Sequence, residues 1–129
     1  MEVDDSGWPL VKVRWLGAPQ DTEIKSFLSR MDLWLARGQR FGLLVDSRGG
    51  QGLSPEQRRA IMDHMKAHSD SSSKYLVQAV VMDNLVQRTL YYAIHLVSPF
   101  PFTTRGFAAE DEAWSWLKAE LGRPGKEGV

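Results

Sequence analysis

The segment from Phe41 to Gln57 constrains the fold most, because three strong local signals follow one another in it. Residues 41–45 are continuously apolar, as in a strand that is covered on both faces of a sheet. A loop containing Gly49, Gly50 and Gly52 comes next. Ser54-Pro55-Glu56-Gln57 then predicts a helix start, with serine at the N-cap, proline at the first helical position and glutamine closing a capping box. A buried strand that leads into a capped helix is typical of α/β proteins.

The same alternation of strand and helix signals extends along the whole chain. We predict strands at 2–5, 10–16, 41–45, 75–82 and 102–107, and helices at 21–37, 55–68, 85–97 and 109–121, with 70–73 as a loop. This order predicts an α/β fold with a single-layer mixed, mostly parallel, four- to five-stranded sheet packed by four helices. Residues 1–121 are predicted to form one domain, and 122–129, rich in Gly and Pro, a flexible tail.

Composition excludes several classes of function. The chain of 129 residues has no cysteine, which excludes disulfides, cysteine–zinc sites and cysteine nucleophiles. Lys plus Arg and Asp plus Glu both number 16, and this balance argues against a nucleic-acid or membrane partner. The acidic N-terminus is unlike a signal peptide, and no apolar run is long enough to span a membrane. We therefore expect a cytoplasmic protein.

The glycine-rich loop matches no catalytic or nucleotide-binding motif. A P-loop requires a lysine that is absent between Gly49 and Ser54, and the dinucleotide fingerprint is broken by Pro55 at its third glycine position. A nucleophile elbow is also absent. We predict no enzyme, no catalytic residue and no cofactor. The alternative is a small-anion or nucleotide site built from the backbone amides of 49–54 with Arg58.

Two pairs of residues have spacings that can bind metal ions. Asp46 and Asp83 each follow a predicted strand, and parallel neighbouring strands would place both carboxylates on one edge of the sheet for a cation or acid–base chemistry. Aspartates at strand ends more commonly cap turns. His64 and His68 are four residues apart, but no third ligand is evident in the sequence. We predict no metal site.

The predicted helix 85–97 has more apolar surface than one face of a sheet can cover. Its polar residues occupy an arc of only about 100° on a helical wheel. Leu90 and Ile94 lie at one edge of the apolar arc, and Phe100 adds an aromatic ring in the next loop. Either neighbouring helices or a partner must cover this surface. An interface with another protein, or with a second copy of the chain, is the prediction.

Several stretches, in their order, are similar to one family. With the elements placed, the chain resembles the STAS-like superfamily, most closely its SpoIIAA-like group, which is related to anti-sigma-factor antagonists. The stretches that carry this resemblance are Phe41–Asp46, Leu53–Arg58, Val80–Asn84 with Arg88, and Phe107–Leu117. The resemblance implies a small α/β domain that works through protein–protein contacts rather than catalysis. It also implies a partner of the kinase or nucleotide-switch class.

Antagonists of this kind carry a D-S-[S/T]-G loop whose residue before the glycine accepts phosphate. The corresponding residues here are Asp46-Ser47-Arg48-Gly49, so that arginine occupies the acceptor position. We expect this arginine to receive a carboxylate or phosphate from a partner. The predicted partner-binding residues are Asp46, Ser47, Arg48, Gly49, Leu53, Arg58, Leu90, Ile94 and Phe100.

Overall fold

The computed structural model describes residues 1–123, which form one five-stranded sheet and five helices. The strands are β1 (Glu2–Asp4), β2 (Leu10–Arg14), β3 (Phe41–Asp46), β4 (Leu76–Val81) and β5 (Thr103–Phe107). The helices are α1 (Asp21–Leu35), α2 (Pro55–Ala67), α3 (Ser69–Tyr75), α4 (Leu85–Val97) and α5 (Glu110–Leu121). Of the predicted tail, residues 124–129 lie outside the described part of the chain.

The strands follow their sequence order across the sheet. β1 pairs antiparallel with β2, and the pairs β2–β3, β3–β4 and β4–β5 are all parallel. Asp46 at the end of β3 lies opposite Arg14 of β2 and Val81 of β4, and Val81 lies opposite Phe107 of β5. The predicted mixed, mostly parallel sheet is therefore confirmed. The four parallel strands end together, and their carboxyl ends form a single edge, where binding sites of α/β sheets lie.

Helices cover both faces of the sheet, as the apolar run of β3 predicted. All residues of β3 are buried. Phe41, Leu43 and Val45 belong to a core that is shared with α1 and α2, whereas Leu44 belongs to a second core under α5. A Cβ added to Gly42 would lie 3.3 Å from Cδ2 of Leu117, so glycine lets α5 approach the strand closely. Full burial of each such large side chain stabilises the fold by about 1.5–3 kcal/mol.

One helix was not predicted. The expected loop 70–73 is part of α3, and this fifth helix corrects the expectation of four. Serine has a modest helix propensity, but Ser72 is fully buried and its amide donates to the carbonyl oxygen of His68. Tertiary packing thus overrides the local preference. Helix α1 begins at Asp21 as predicted, with Gln20 as the N-cap in a capping box with Glu23, and it ends at Leu35, two residues before the predicted end.

The orientation of α4 is the largest departure from its sequence pattern. A helix usually turns its apolar face to the core, yet none of the residues of α4 is buried. Its narrow polar side, which includes Gln87, Arg88 and Tyr91, is half-buried against the sheet. Its large apolar side chains are exposed, and Leu96 and Val97 retain 84% and 88% of their accessible surface. The predicted apolar excess is therefore present, and it faces outward.

Candidate binding site at the carboxyl edge of the sheet

The loop 47–54, called here the glycine loop, is held by backbone hydrogen bonds to the segment after β2. The amide of Gly17 donates to the carbonyl of Gly49 over 3.0 Å, and the amide of Gln51 donates to the carbonyl of Gly17 over 2.9 Å. Gly52 has a φ of 88°, a conformation that favours glycine. The glycine loop is thus a fixed rim at the carboxyl edge of the sheet.

An ion-pair network joins the start of this loop to α5. The buried carboxylate of Asp46 accepts hydrogen bonds from Nε and Nη2 of Arg48, each over 2.9 Å. Nη2 of Arg48 also donates to Glu110 over 2.8 Å, and Lys12 donates to the same carboxylate over 3.0 Å. The Arg48 side chain holds the pKa of Asp46 below its ordinary value. Hydrogen bonds from Trp114 and then Lys12 lower the pKa of Glu110.

These contacts change the role expected of the two arginines. The guanidinium of Arg48 is already bonded to two carboxylates within the domain, and Nη1 of Arg58 donates to the carbonyl of Leu53 over 3.1 Å. An anion at Arg48 would have to compete with these two carboxylates, which argues against Arg48 as a receptor for a partner's carboxylate or phosphate. The Leu53 carbonyl takes only one of the five N–H donors of Arg58, so the small-anion alternative stays a prediction.

Asp46 at the end of β3 and Asp83 after β4 lie on the same edge of the sheet, as expected, because β3 and β4 are parallel neighbours. Asp83 is exposed there. Asp46, however, is buried and bidentately paired with Arg48. Its charge is therefore compensated within the domain, which argues against Asp46 as a cation ligand or a proton-transfer group.

A cavity of about 250 Å³ lies between the sheet, α1, α2 and α4, behind the glycine loop. Most of the predicted partner-binding residues line this cavity, although they come from four separate segments. They are Ser47, Leu53, Arg58, Leu90, Ile94 and Phe100. Asp46, Arg48 and Gly49 are not part of the lining and belong to the ion-pair network and the loop rim. The fold thus divides the predicted site into two parts.

The cavity is lined mainly by apolar side chains, and methionine is prominent among them. Four of the five methionines in the chain, Met31, Met62, Met65 and Met82, contribute to it. The Tyr91 hydroxyl is hydrogen-bonded to Thr104, and burial raises the pKa of this tyrosine. Sequence reasoning missed the cavity because the methionines are dispersed over two helices and the segment after β4. A count of methionines gives no indication that they converge.

Hydrogen bonds, together with the packing of Tyr91 against the core, attach α4 over this cavity. Nη1 of Arg88 donates to the carbonyl of Met82 over 2.6 Å, and the Tyr92 hydroxyl donates to the carbonyl of Gly106 over 3.2 Å. With the Tyr91 contact, these bonds all originate from the polar side of the helix or its margin. The outer face of α4 is left without a partner among residues 1–123.

Among the helices of that same part of the chain, none has the length and apolar composition needed to cross a bilayer.

Comparison with known proteins agrees with this architecture. A family model described as SpoIIAA-like matches residues 10–118. A crystal structure from Shewanella loihica PV-4, described as an uncharacterized protein from the DUF3478 family with a SpoIIAA-like fold, superposes with a TM-score of 0.66. It is 14% identical in sequence, and the match covers 84% of this chain and 83% of that one. At this identity the likeness concerns the fold alone. No curated protein gives a significant match.

Proposed function

Since the chain belongs to the SpoIIAA-like family, we propose that it is a non-enzymatic binding domain that docks a protein partner on the outer face of α4. The observation that carries this proposal is the orientation of α4, which exposes its apolar side chains and buries none of its residues. Scattered exposed apolar residues are normal, but a contiguous apolar patch is typical of an interaction site. The resemblance points to a partner of the kinase or nucleotide-switch class.

The exposed side chains on α4 have the spacing by which helices are recognised in apolar grooves. Leu85, Tyr92 and Leu96 form one row, seven and four residues apart, and Val86, Leu90 and Val97 form a second row beside it. Tyr92 and Leu90 lie at the margins of this face, because the Tyr92 hydroxyl bonds to Gly106 and Leu90 also lines the cavity. Rows of this kind are the anchors of helix-in-groove recognition. Full burial of each leucine would contribute about 1.5–3 kcal/mol before the cost of association. The partner we propose is therefore a protein with an apolar groove.

In this proposal the glycine loop borders the docking surface rather than recognising charge. Leu53, Ile94 and Phe100 line the cavity that α4 covers. The salt bridges of Arg48 hold the rim in place.

Substitution of Leu96 by lysine will reduce recovery of the partner by about thirtyfold, which corresponds to about 2 kcal/mol for an interface anchor. The measurement is affinity capture from native lysate, quantified by mass spectrometry. Leu33→Lys is the matched control, because Leu33 is also exposed, by 69%, but lies on α1. Equal recovery of every protein with wild type and Leu96→Lys would contradict the proposal. A dimer of the purified wild-type chain that Leu96→Lys dissociates would instead identify a second copy as the partner.

A second function is favoured by the cavity itself, namely binding of a small apolar molecule. Ligand pockets are concave and mostly apolar with a few polar groups, and this cavity has that character. Methionine side chains adapt readily to different ligand shapes. Arg58 at the lining offers a cation that can meet a polar headgroup, provided that it releases the Leu53 carbonyl.

We expect decanoate or decanol to quench or shift the fluorescence of Trp15, which lines the cavity, and to raise the melting temperature by mass action. Met62→Trp, which adds bulk at the lining, should weaken this binding by about tenfold or more, or about 1.4 kcal/mol. Leu96→Lys lies away from the lining and should bind the probes as wild type does. Absence of binding by the wild-type protein would rule out this second function and leave the docking proposal unaffected.

A further inference from the structure

A cluster of three potential metal ligands lies on the side of α1 and α2. Asp32 comes from α1, His64 from α2, and His68 from the junction of α2 and α3. One ligand atom from each residue lies within 4.8 Å of the other two. The spacing of the two histidines is a property of one helix, whereas the third ligand, Asp32, lies 32 residues away from His64 in the chain and only the fold brings it close.

The distances within this cluster are close to those that a tetrahedral ion needs. Nε2 of His64 lies 2.7 Å from Oδ1 of Asp32, and Nε2 of His68 lies 3.8 Å from the same oxygen. Metal–ligand bonds of about 2.0–2.2 Å place tetrahedral ligand atoms about 3.4 Å apart. The observed distances lie on either side of this value. Small side-chain rotations would therefore bring all three atoms to bonding distance of one ion.

We propose that Asp32, His64 and His68 bind a zinc-class divalent metal ion. Two imidazole nitrogens and one carboxylate oxygen suit Zn²⁺ and its late first-row neighbours, whereas Mg²⁺ and Ca²⁺ prefer oxygen ligands throughout. His68 is 45% exposed at its side chain, so the cluster opens to solvent and water completes the coordination. A hydrogen bond between Asp32 and His64 would account for the position of the His64 ring alone. It does not account for the second imidazole, whose centroid lies 4.6 Å from the first and whose Nε2 lies 3.8 Å from the same oxygen.

The ion would connect two walls of the apolar cavity. Met31, next to Asp32 in sequence, and Met65, next to His64, both line that cavity. A metal bound to α1 and α2 therefore holds these walls at a fixed separation. The site itself stands on its own geometry and does not depend on either proposed function.

The test is titration of the chain, prepared without a polyhistidine tag, with ZnCl₂ and in parallel with MgCl₂ by isothermal calorimetry. We expect one Zn²⁺ per chain and no saturable Mg²⁺ binding. Loss of groups that merely orient a ligand weakens metal sites by about 10–100-fold, so Asp32→Asn and His68→Gln should each weaken Zn²⁺ binding by more than about tenfold. His95→Gln, which changes the histidine on α4, is the matched control and should bind Zn²⁺ as wild type does.

Co²⁺ provides an independent readout of ligand geometry. The wild-type protein should give the intense visible absorption of a tetrahedral Co²⁺ centre, and Asp32→Asn and His68→Gln should lose it. Both positions are partly exposed, which keeps these variants folded. Failure of the wild type to bind Zn²⁺, or equal affinity in wild type, Asp32→Asn and His68→Gln, would overturn the proposal.

Discussion

Replacement of Arg48 by glutamate will lower the free energy of unfolding by about 3 kcal/mol or more. Removal of one partner from a buried ion pair leaves the other charge without compensation, which costs about 3–5 kcal/mol in buried sites. The Arg48 side chain is 36% exposed, which places the expected loss at the lower end of that range. The new carboxylate would also face Asp46 and Glu110, the two groups that now accept hydrogen bonds from Arg48.

Urea unfolding of wild type, Arg48→Glu and the exposed-site control Arg59→Glu measures this loss. The depressed pKa of Asp46 predicts the pH dependence. The carboxylate contributes stability above its unfolded-state pKa of about 3.9, and this contribution disappears as the pH falls through its lower folded-state pKa. The difference between wild type and Arg48→Glu should therefore be full at neutral pH and should shrink below about pH 4. An Arg48→Glu protein as stable as Arg59→Glu would show that the network contributes nothing.

The second large effect concerns two helical leucines, one on α4 and one on α5, that have opposite environments in the fold. Leu117 of α5 is fully buried against β3 and β4, whereas Leu96 of α4 is 84% exposed. Truncation of a buried leucine to alanine removes apolar contacts and leaves a cavity, at a cost of about 2–5 kcal/mol. Truncation of an exposed leucine usually changes stability by less than about 0.5 kcal/mol.

Leu117→Ala should therefore unfold at a much lower urea concentration than wild type, and Leu96→Ala at nearly the same concentration. Both variants remove the same atoms, so their difference reports burial alone. Comparable losses in the two proteins would mean that α4 packs with its apolar face toward the sheet, contrary to the observed orientation. That outcome would also remove the basis for the docking proposal.

Much of the fold could be predicted because local signals and tertiary packing agree. The apolar run 41–45 became the strand that is buried on both faces, and Ser54 and Gln57 form the predicted capping box, with Gln57 donating to Ser54 Oγ over 3.1 Å. At α3, by contrast, the serine-rich sequence has weak helix propensity, and burial of Ser72 decides the conformation. Such burial depends on neighbours distant in sequence.

The candidate site was harder to predict because it depends on which partners the fold supplies. The apolar excess of α4 is a property of one segment, and the carboxyl edge follows from the alternation of strands and helices, so both could be predicted from the sequence. The pairing of Arg48 with Asp46 and Glu110 joins positions up to 62 residues apart. The contact of Asp32 with His64 likewise joins residues that are 32 positions apart in the chain. Helical periodicity also gave the width of the apolar arc on α4 but not its direction, because polar contacts with Met82 and Gly106 determine the rotation.

The outward orientation of the apolar face of α4 affects the heat-capacity change expected when this helix binds a partner. Unfolding normally raises the heat capacity because apolar surface becomes hydrated. The outer apolar face of α4 is already hydrated, so a heat-capacity increase on release of this helix must come from its inner side and from the apolar cavity beneath it. Coverage of the same face by a partner should produce a pronounced negative heat-capacity change. In the proposed function, the apolar surface that α4 leaves exposed on folding is the surface that association removes from water.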